Sequence, residues 1–222
     1  MSPESRTTRY FPIFVVAENK PCAVFGGGEE ATHRVCGLLQ AGANVTVISR
    51  TLDTKELRRL ATDGMINHLA QDYDASQLEG FSLVVVARDD TSLNGRIAAD
   101  ARARQILVNA ADDLPNCDFI VPAIVREGDL TVAVSTGGKS PAVARRLQEE
   151  LTAYRGGEFP ALLDGAGEVR TLARRANRNP DQDTWQAAIT PEFRALCVKG
   201  HTNDAKRLML EALGLADLAE AA

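Results

Sequence analysis

The sequence is poor in the residues that build metal centres and disulfide scaffolds. Its four cysteines, Cys22, Cys36, Cys117 and Cys197, never pair as C-x-x-C. Neither a zinc ribbon nor a disulfide framework is suggested, and reduced, mostly buried thiols are expected. The three histidines, His33, His68 and His201, lie far apart without metal-ligand spacing, so no metal ligand is assigned. No apolar run approaches the roughly 20 residues that span a bilayer. Met1 to Arg9 is polar and lacks the apolar centre of a signal peptide. A cytoplasmic protein without membrane attachment is expected. Excess positive charge is missing too: 25 Lys and Arg stand against 30 Asp and Glu, a net charge of -5. That balance argues against a nucleic-acid binder, but leaves room for a local basic cleft that takes an acidic small molecule. Internal repeats and low-complexity tracts are absent.

What is present is organised around residues 21–31, Pro-Cys-Ala-Val-Phe-Gly-Gly-Gly-Glu-Glu-Ala. A short apolar run stops at three glycines and a helical pattern begins, so the stretch predicts a strand, a tight turn and a helix N-terminus. Gly26 can supply the turn, Gly28 lets backbone approach a pyrophosphate, and Ala31 lets the helix lie close to the strand. The first N–H groups of that helix then face an anion. A glycine triplet alone also marks ordinary turns. Its context carries the reading: Ala31, Val35, Leu38 and Leu39 share one helical face, Gly42 ends the helix, and Val45 to Ile48 predicts a second strand. This is the βαβ opening of a dinucleotide-binding fold.

At 222 residues the chain can form one domain or two. Residues 10–16, Tyr-Phe-Pro-Ile-Phe-Val-Val, predict an edge or surface-hugging strand, because Pro12 would remove a ladder donor from a central one. Further on, Lys55 to Leu60 predicts a short helix, Met65 to Leu69 a strand, and Ser82 to Ala87 a buried parallel strand. Arg88 to Asp90 then either border a cofactor at the carboxyl end of that strand or cap the helix over Leu93 to Ala103. Ile106 to Asn109 is the next strand, and it delivers Asn109, Asp112 and Asp113 to the same sheet edge. After it the α/β rhythm stops. Phe119 to Val125 and Leu130 to Ser135 predict a hairpin about Arg-Glu-Gly-Asp. A polar loop, Ser135 to Pro141, follows, with Ser140 as N-cap and Pro141 at the first helical position. Val143, Ala144, Leu147, Leu151 and Tyr154 mark one face of the next helix. From about Gly156 onward only helical stretches remain, broken at Gly156-Gly157, Pro180 and Pro191. Trp185 and Phe193 suit core anchors, and Ala205, Leu208, Met209, Ala212 and Leu213 form a last apolar stripe before a tail expected to fray.

Three stretches together resemble the precorrin-2 dehydrogenase family, which includes the N-terminal half of siroheme synthase and the bifunctional dehydrogenase and ferrochelatase. They are Tyr-Phe-Pro-Ile-Phe at 10–14, Val-Phe-Gly-Gly-Gly-Glu-Glu-Ala at 24–31, and the block from Asn109 to Arg146. The last is the most specific. It runs Asn-Ala-Ala-Asp, then Cys-Asp-Phe-Ile-Val-Pro-Ala-Ile-Val, then Leu-Thr-Val-Ala-Val-Ser-Thr-Gly-Gly-Lys-Ser-Pro-Ala-Val-Ala-Arg-Arg. The resemblance covers roughly residues 9–154.

It implies a Rossmann-like NAD-binding domain over residues 1–112, a small β dimerisation region over 113–140 and an α-helical domain over 141–222. The implied reaction takes a hydride and protons from precorrin-2, giving sirohydrochlorin and NADH. In some members ferrous iron is then inserted in the same cleft. The family's key acid, in its Asn-x-x-Asp motif, falls on Asp112, with Asp113 adjacent but outside the motif position. Gly26, Gly27, Gly28, Glu29, Glu30, Ser49, Arg50, Thr51 and Asp89 are the implied cofactor residues. Because precorrin-2 carries eight carboxylates, its cleft needs cations and donors. Lys139, Arg145 and Arg146, with Asn109, Ser135, Thr136, Gly137 and Gly138, are the candidates.

Two departures bear on the cofactor. Ser49-Arg50-Thr51 stands where an acid often binds the NAD ribose, and relatives often have proline at the Arg50 position. By charge alone Arg50 favours a 2′-phosphate. Arg88 replaces a residue that is frequently threonine. The competing readings are a non-catalytic tetrapyrrole- or nucleotide-binding regulatory module on the same fold, and an ordinary dehydrogenase of a small metabolite. From the resemblance, NAD is expected to outperform NADP, and Arg50→Ala to change NADP use more than NAD use. Steady-state kinetics with each cofactor check this, and a clear NADP preference would refute it.

Overall fold

The structure is a computed structural model that describes residues 9–154 and 158–219, the side chain of Tyr154 excepted. The expected Gly156-Gly157 break and the last residues of the tail lie outside the described residues. Two compact units meet in sequence after Val121.

In the first unit, five parallel strands form one sheet. They are β1 (Pro21–Phe25), β2 (Asn44–Ile48), β3 (Asn67–Leu69), β4 (Leu83–Val86) and β5 (Leu107–Ala110), in the order β3-β2-β1-β4-β5. Between them run helices α1 (Glu29–Gln40), α2 (Lys55–Thr62) and α3 (Thr91–Ala103). Strand residues point alternately to opposite faces, and here both faces are covered. Ala23, Phe25, Ile48, Val84, Val86 and Val108 pack with Ile97, Ala98 and Ala101 of α3. Cys22, Val24, Val45, Val47 and Val85 pack with Ala31 and Val35 of α1 and Leu57 and Leu60 of α2. Burial on two faces explains the nearly unbroken apolar strands. Each fully buried Val, Leu, Ile or Phe among them contributes roughly 1.5–3 kcal/mol. The register Phe25↔Ile48 and Phe25↔Val86 brings the carboxyl ends of the three central strands level.

The second unit opens with an antiparallel hairpin, β6 (Ala123–Glu127) and β7 (Leu130–Val134), and continues as helices. Gly128, at φ 54°, supplies the positive φ that its two-residue loop demands. Helix α4 (Pro141–Tyr154) follows, and Ser140 Oγ accepts the Val143 N–H at 3.3 Å as expected of its cap. Helices α5 (Glu158–Arg175), α6 (Gln182–Ala188), α7 (Pro191–Val198) and α8 (Thr202–Ala212) enclose a core of Leu162, Val169, Phe193, Ala205, Met209 and Leu210. Gly165 permits the approach of α5 to α7, since a Cβ there would stand 2.9 Å from Cys197 Sγ.

Some expectations change. Residues 10–16 form no strand, and Phe11, Ile13, Phe14, Val15 and Val16 are exposed. With Pro12 in the run and no ladder partner, the segment has nothing to pair with before β1 starts at Pro21. The strand predicted from Phe119 begins only at Ala123, and the one predicted from Met65 only at Asn67. Val143 and Leu147, on the expected inner face of α4, are exposed, whereas Ala144 of that stripe is buried. Among the described residues, no helix is long and apolar enough to cross a membrane. Phe193 is fully enclosed. Phe193→Ala should therefore lower the stability of the helical unit by about 3–5 kcal/mol, seen as an earlier denaturant transition of the Trp185 fluorescence.

Candidate functional site

The glycine turn fixes the site. Gly26 has φ 139°, and a Cβ there would lie 2.3 Å from Ala87 O, in the segment after β4. At Gly27 a Cβ would lie 2.1 Å from Thr51 O, after β2. Both positions therefore exclude any side chain. Gly28 differs, for nothing stands within 4 Å of where its Cβ would be. As the N-cap of α1 it also has no side chain to offer the first-turn amides. Open space above free N–H groups at a helix start suits a pyrophosphate. The residues present thus fit a dinucleotide. Glu29 is exposed, and Glu30 is tied along the helix to Arg34, whose Nε donates to Glu30 Oε1 at 2.7 Å.

The loop after β2 is bound to this turn. Asp53 N–H donates to Gly27 O at 2.8 Å, and buried Ser49 donates its hydroxyl to Thr51 O at 2.8 Å. Thr51 Oγ1 in turn donates to Asp53 Oδ1 at 2.7 Å. Arg50 is exposed and grips Asp72 with two bonds, Nε to Oδ1 at 2.7 Å and Nη2 to Oδ2 at 2.5 Å. That pairing holds the Asp72 carboxyl below its usual range and the Arg50 guanidinium above its own. Asp72 was not anticipated from the sequence. Its one signal is an acid following a short third strand, and a separation of 22 residues gives no hint of the partner.

Of the two readings of Arg88 to Asp90, capping is realised by Asp90, whose Oδ1 accepts the Leu93 N–H at 3.0 Å. Asp89 is exposed just before the cap, at the carboxyl edge of the sheet.

Beyond β5 the chain closes a tight loop. Asn109 is buried, and its Nδ2 donates to Phe119 O at 2.9 Å, while its Oδ1 has no partner. Cys117 Sγ accepts the Ala110 N–H at 3.2 Å and lies 3.1 Å from Ala110 O as a donor. Burial pushes this thiol up, which keeps its proton in place. Asp118 accepts the Val108 N–H at 3.2 Å and is held by Arg102 at 2.7 Å. At the tip of this clasp sits Asp112, with φ 57°. It is exposed, and its carboxylate makes no hydrogen bond or ion pair among the described residues. Asp113 instead accepts from Asn116 Nδ2 at 2.9 Å, a turn carboxylate. A left-handed aspartate held by its surroundings marks a position where geometry outweighs local comfort.

The remaining candidates belong to the second unit. Thr136 Oγ1 donates to Ser140 O at 3.1 Å and accepts the Ser140 N–H at 3.1 Å, and Gly137 N–H donates to Ser135 Oγ at 3.1 Å. Gly137 and Gly138 have φ 62° and 81°. The Thr136 hydroxyl and one of the two glycine amides are therefore spent on the loop itself. Lys139 is exposed. Arg145 pairs with Glu149 at 3.5 Å, and Arg146 with Glu150 at 2.8 Å, all on α4.

This arrangement can be set beside known proteins. A family model described as "Putative NAD(P)-binding" matches residues 13–123, half of the chain, and a second, described as "Sirohaem biosynthesis protein central", matches 127–154. The chain belongs to the precorrin-2 dehydrogenase family. The family includes the N-terminal region of siroheme synthase. The siroheme synthase of Methylococcus capsulatus is 37% identical over 205 residues, 91% of this chain and 43% of that protein. Siroheme synthase 1 of Serratia proteamaculans is 36% identical over 200 residues, 89% of this chain and 42% of that one. The chain thus spans less than half the length of these relatives. A solved structure titled SirC, precorrin-2 dehydrogenase, has the same fold, with a TM-score of 0.68 at 24% identity over 92% of this chain and 99% of that one.

Gly28→Ala tests the cradle. Its backbone, at φ -92°, tolerates alanine and the space is open, so the melting temperature should hold. The methyl group would stand where the pyrophosphate approaches, and NAD affinity should fall about tenfold or more, ~1.4 kcal/mol. Calorimetric titration measures it, and an unchanged affinity would move the dinucleotide elsewhere.

Proposed function

We propose that the chain carries out the NAD-dependent dehydrogenation of precorrin-2 to sirohydrochlorin in siroheme biosynthesis. The observation that carries this reading is Asp112, an unpaired carboxylate in left-handed backbone at the same sheet edge as a glycine cradle that fits a dinucleotide. A bound nicotinamide would supply the hydride acceptor. Asp112 would take a proton as the macrocycle loses its hydride, the task of a general base. The clasp through Asn109, Cys117 and Asp118 holds the loop that carries Asp112. Gly26 to Glu30, Ser49 to Thr51 and Asp89 would hold the cofactor, and Asn109, Ser135 to Lys139, Arg145 and Arg146 the tetrapyrrole.

We further infer a functional partition in which residues 1–112 bind NAD, 113–140 make a homodimer and 141–222 complete the tetrapyrrole site, in the cytoplasm. The dimer is supported by a hairpin of only two strands, marginal alone, and by exposed Val143 and Leu147 on α4. Light scattering at dilute concentration should give twice the mass of 23.9 kDa, and a monomer would refute the pairing. Ferrous iron would be a second substrate, and insertion well above a metal-only blank that Asp112→Ala abolishes together with dehydrogenation would establish one shared site. Insertion is expected to be weak and separable from dehydrogenation, as followed by the visible spectrum of sirohydrochlorin with ferrous iron against a metal-only blank.

The main test is Asp112→Asn, which keeps the shape and cannot accept the proton. NAD binding should persist while NADH formation from precorrin-2, read at 340 nm, falls about 10²- to 10⁴-fold. Full activity would remove Asp112 from the mechanism. Wild-type protein that binds both ligands and forms no NADH would instead be a binding module.

A further inference from the structure

Arg50 taken by itself favours a 2′-phosphate, yet it does not stand by itself. It follows β2, whose carboxyl end is where dinucleotide folds hold the adenosine ribose. Asp72 follows β3, the neighbour of β2 in the sheet, with Ile48↔Leu69 in register. The two side chains meet as a bidentate pair at 2.7 and 2.5 Å.

An exposed ion pair often means little, because two long side chains rarely stay in one geometry. This one is held from behind. Gln77 Nε2 donates to the Asp72 carbonyl at 2.9 Å. The next residue, Tyr73, sets its ring edge-on to Phe25, with centroids 5.4 Å apart and planes at 80°. Its hydroxyl donates to Asp100 Oδ2 at 2.7 Å, and the Arg96 guanidinium lies 5.7 Å from the ring centre. Phe25 is the last residue of β1, immediately before the glycine turn. Asp72 is therefore fixed relative to the backbone that would carry the pyrophosphate. Arg88, after β4, is a second cation whose field reaches Asp72.

We propose that Asp72 selects the cofactor: paired with Arg50, it forms a charge-balanced rim that accepts a ribose 2′-hydroxyl and turns away a 2′-phosphate. This rests on reading the glycine turn as a dinucleotide site, and it is independent of which substrate is oxidised. A free 2′-hydroxyl can donate to the carboxylate without breaking the pair. A 2′-phosphate would face that carboxylate at close range and could reach Arg50 only by displacing it. With the acid neutralised, Arg50 and Arg88 would together suit a dianion. The acid that dinucleotide folds often place at the end of β2 is missing here, and an acid from beyond the adjacent strand would take its place.

The experiment is calorimetric titration of NAD and NADP into wild type, Asp72→Asn, Arg50→Ala and the double variant, with thermal melts as the folding control. Adenosine 2′,5′-bisphosphate and 5′-AMP serve as fragment probes. Wild type should favour NAD. Asp72→Asn should bind NADP and the bisphosphate about tenfold tighter or more, with NAD several-fold weaker. The double variant should lose the gain, which assigns it to Arg50. If wild type binds NAD and Asp72→Asn leaves the ratio of the two affinities unmoved, the proposal fails alone. A gain kept in full by the double variant overturns it too. Should wild type bind neither dinucleotide, the reading of the turn falls and the proposal with it. A shifted ratio in a protein that makes no NADH from precorrin-2 sustains the proposal and refutes only the substrate.

Discussion

Two carbonyl oxygens stand where side chains would have to be. Ala87 O and Thr51 O lie 2.3 and 2.1 Å from the Cβ positions of Gly26 and Gly27, so the turn after β1 is locked between the segments that follow β4 and β2. That contact gathers the site. It draws three strand ends together, and the Asp53 N–H bond to Gly27 O sews the β2 loop to the same turn. A side chain at 26 would push out the segment after β4, and one at 27 the segment after β2, and either would open the turn. Gly28 is spared that crowding, which is what leaves room for a ligand.

Asp112, just beyond the carboxyl end of β5, is positioned by a different device. A loop from β5 to Phe119 has too little regular structure to hold a shape by backbone ladder alone. Its polar groups do that work: the Asn109 amide, the Cys117 thiol and the Asp118 carboxylate each satisfy backbone groups inside it. Leaving such groups unpaired costs about 1–3 kcal/mol each, so the clasp is well able to maintain Asp112 at φ 57°, where a non-glycine residue is uncommon. Asp112 is then free to meet a ligand because its neighbours, and not itself, close the loop.

Much of the first unit was legible in the sequence. Five strands and the helices between them follow from apolar runs and period, since both faces of a parallel sheet must be apolar and glycine must stand at the turn. Legibility failed where partners are distant in sequence or compete. The apolar run at 10–16 has strand composition and no ladder to join. Arg50 carries a charge that Asp72 offsets, and nothing local announces that meeting. Thr136 offers a hydroxyl that the chain consumes in bonds to Ser140. Asp90 suits a cap or a cofactor edge by sequence alone, and only its geometry, the carboxylate on the Leu93 N–H, makes it the cap. On α4, Val143 and Leu147 obey the helical period yet stay exposed, for period marks a face without saying what covers it.

The cations proposed for the substrate show how an acidic chain can serve a polyanionic ligand. Arg145 and Arg146 are already paired with glutamates one turn along α4. Exposed pairs of this spacing contribute only ~0.3–0.5 kcal/mol, so a carboxylate from a macrocycle can replace a glutamate at little cost. A buried pair could not be exchanged so cheaply, because parting it strands a desolvated charge. The surface pairs therefore keep the arginines ordered and compensated while remaining available. Arg50 and Asp72 are just as exposed, and they differ in being joined by two parallel bonds, at 2.7 and 2.5 Å. A bidentate grip costs more to exchange than a single contact, so the same ion-pair chemistry would leave the α4 arginines open to a new partner and keep Arg50 in its pair.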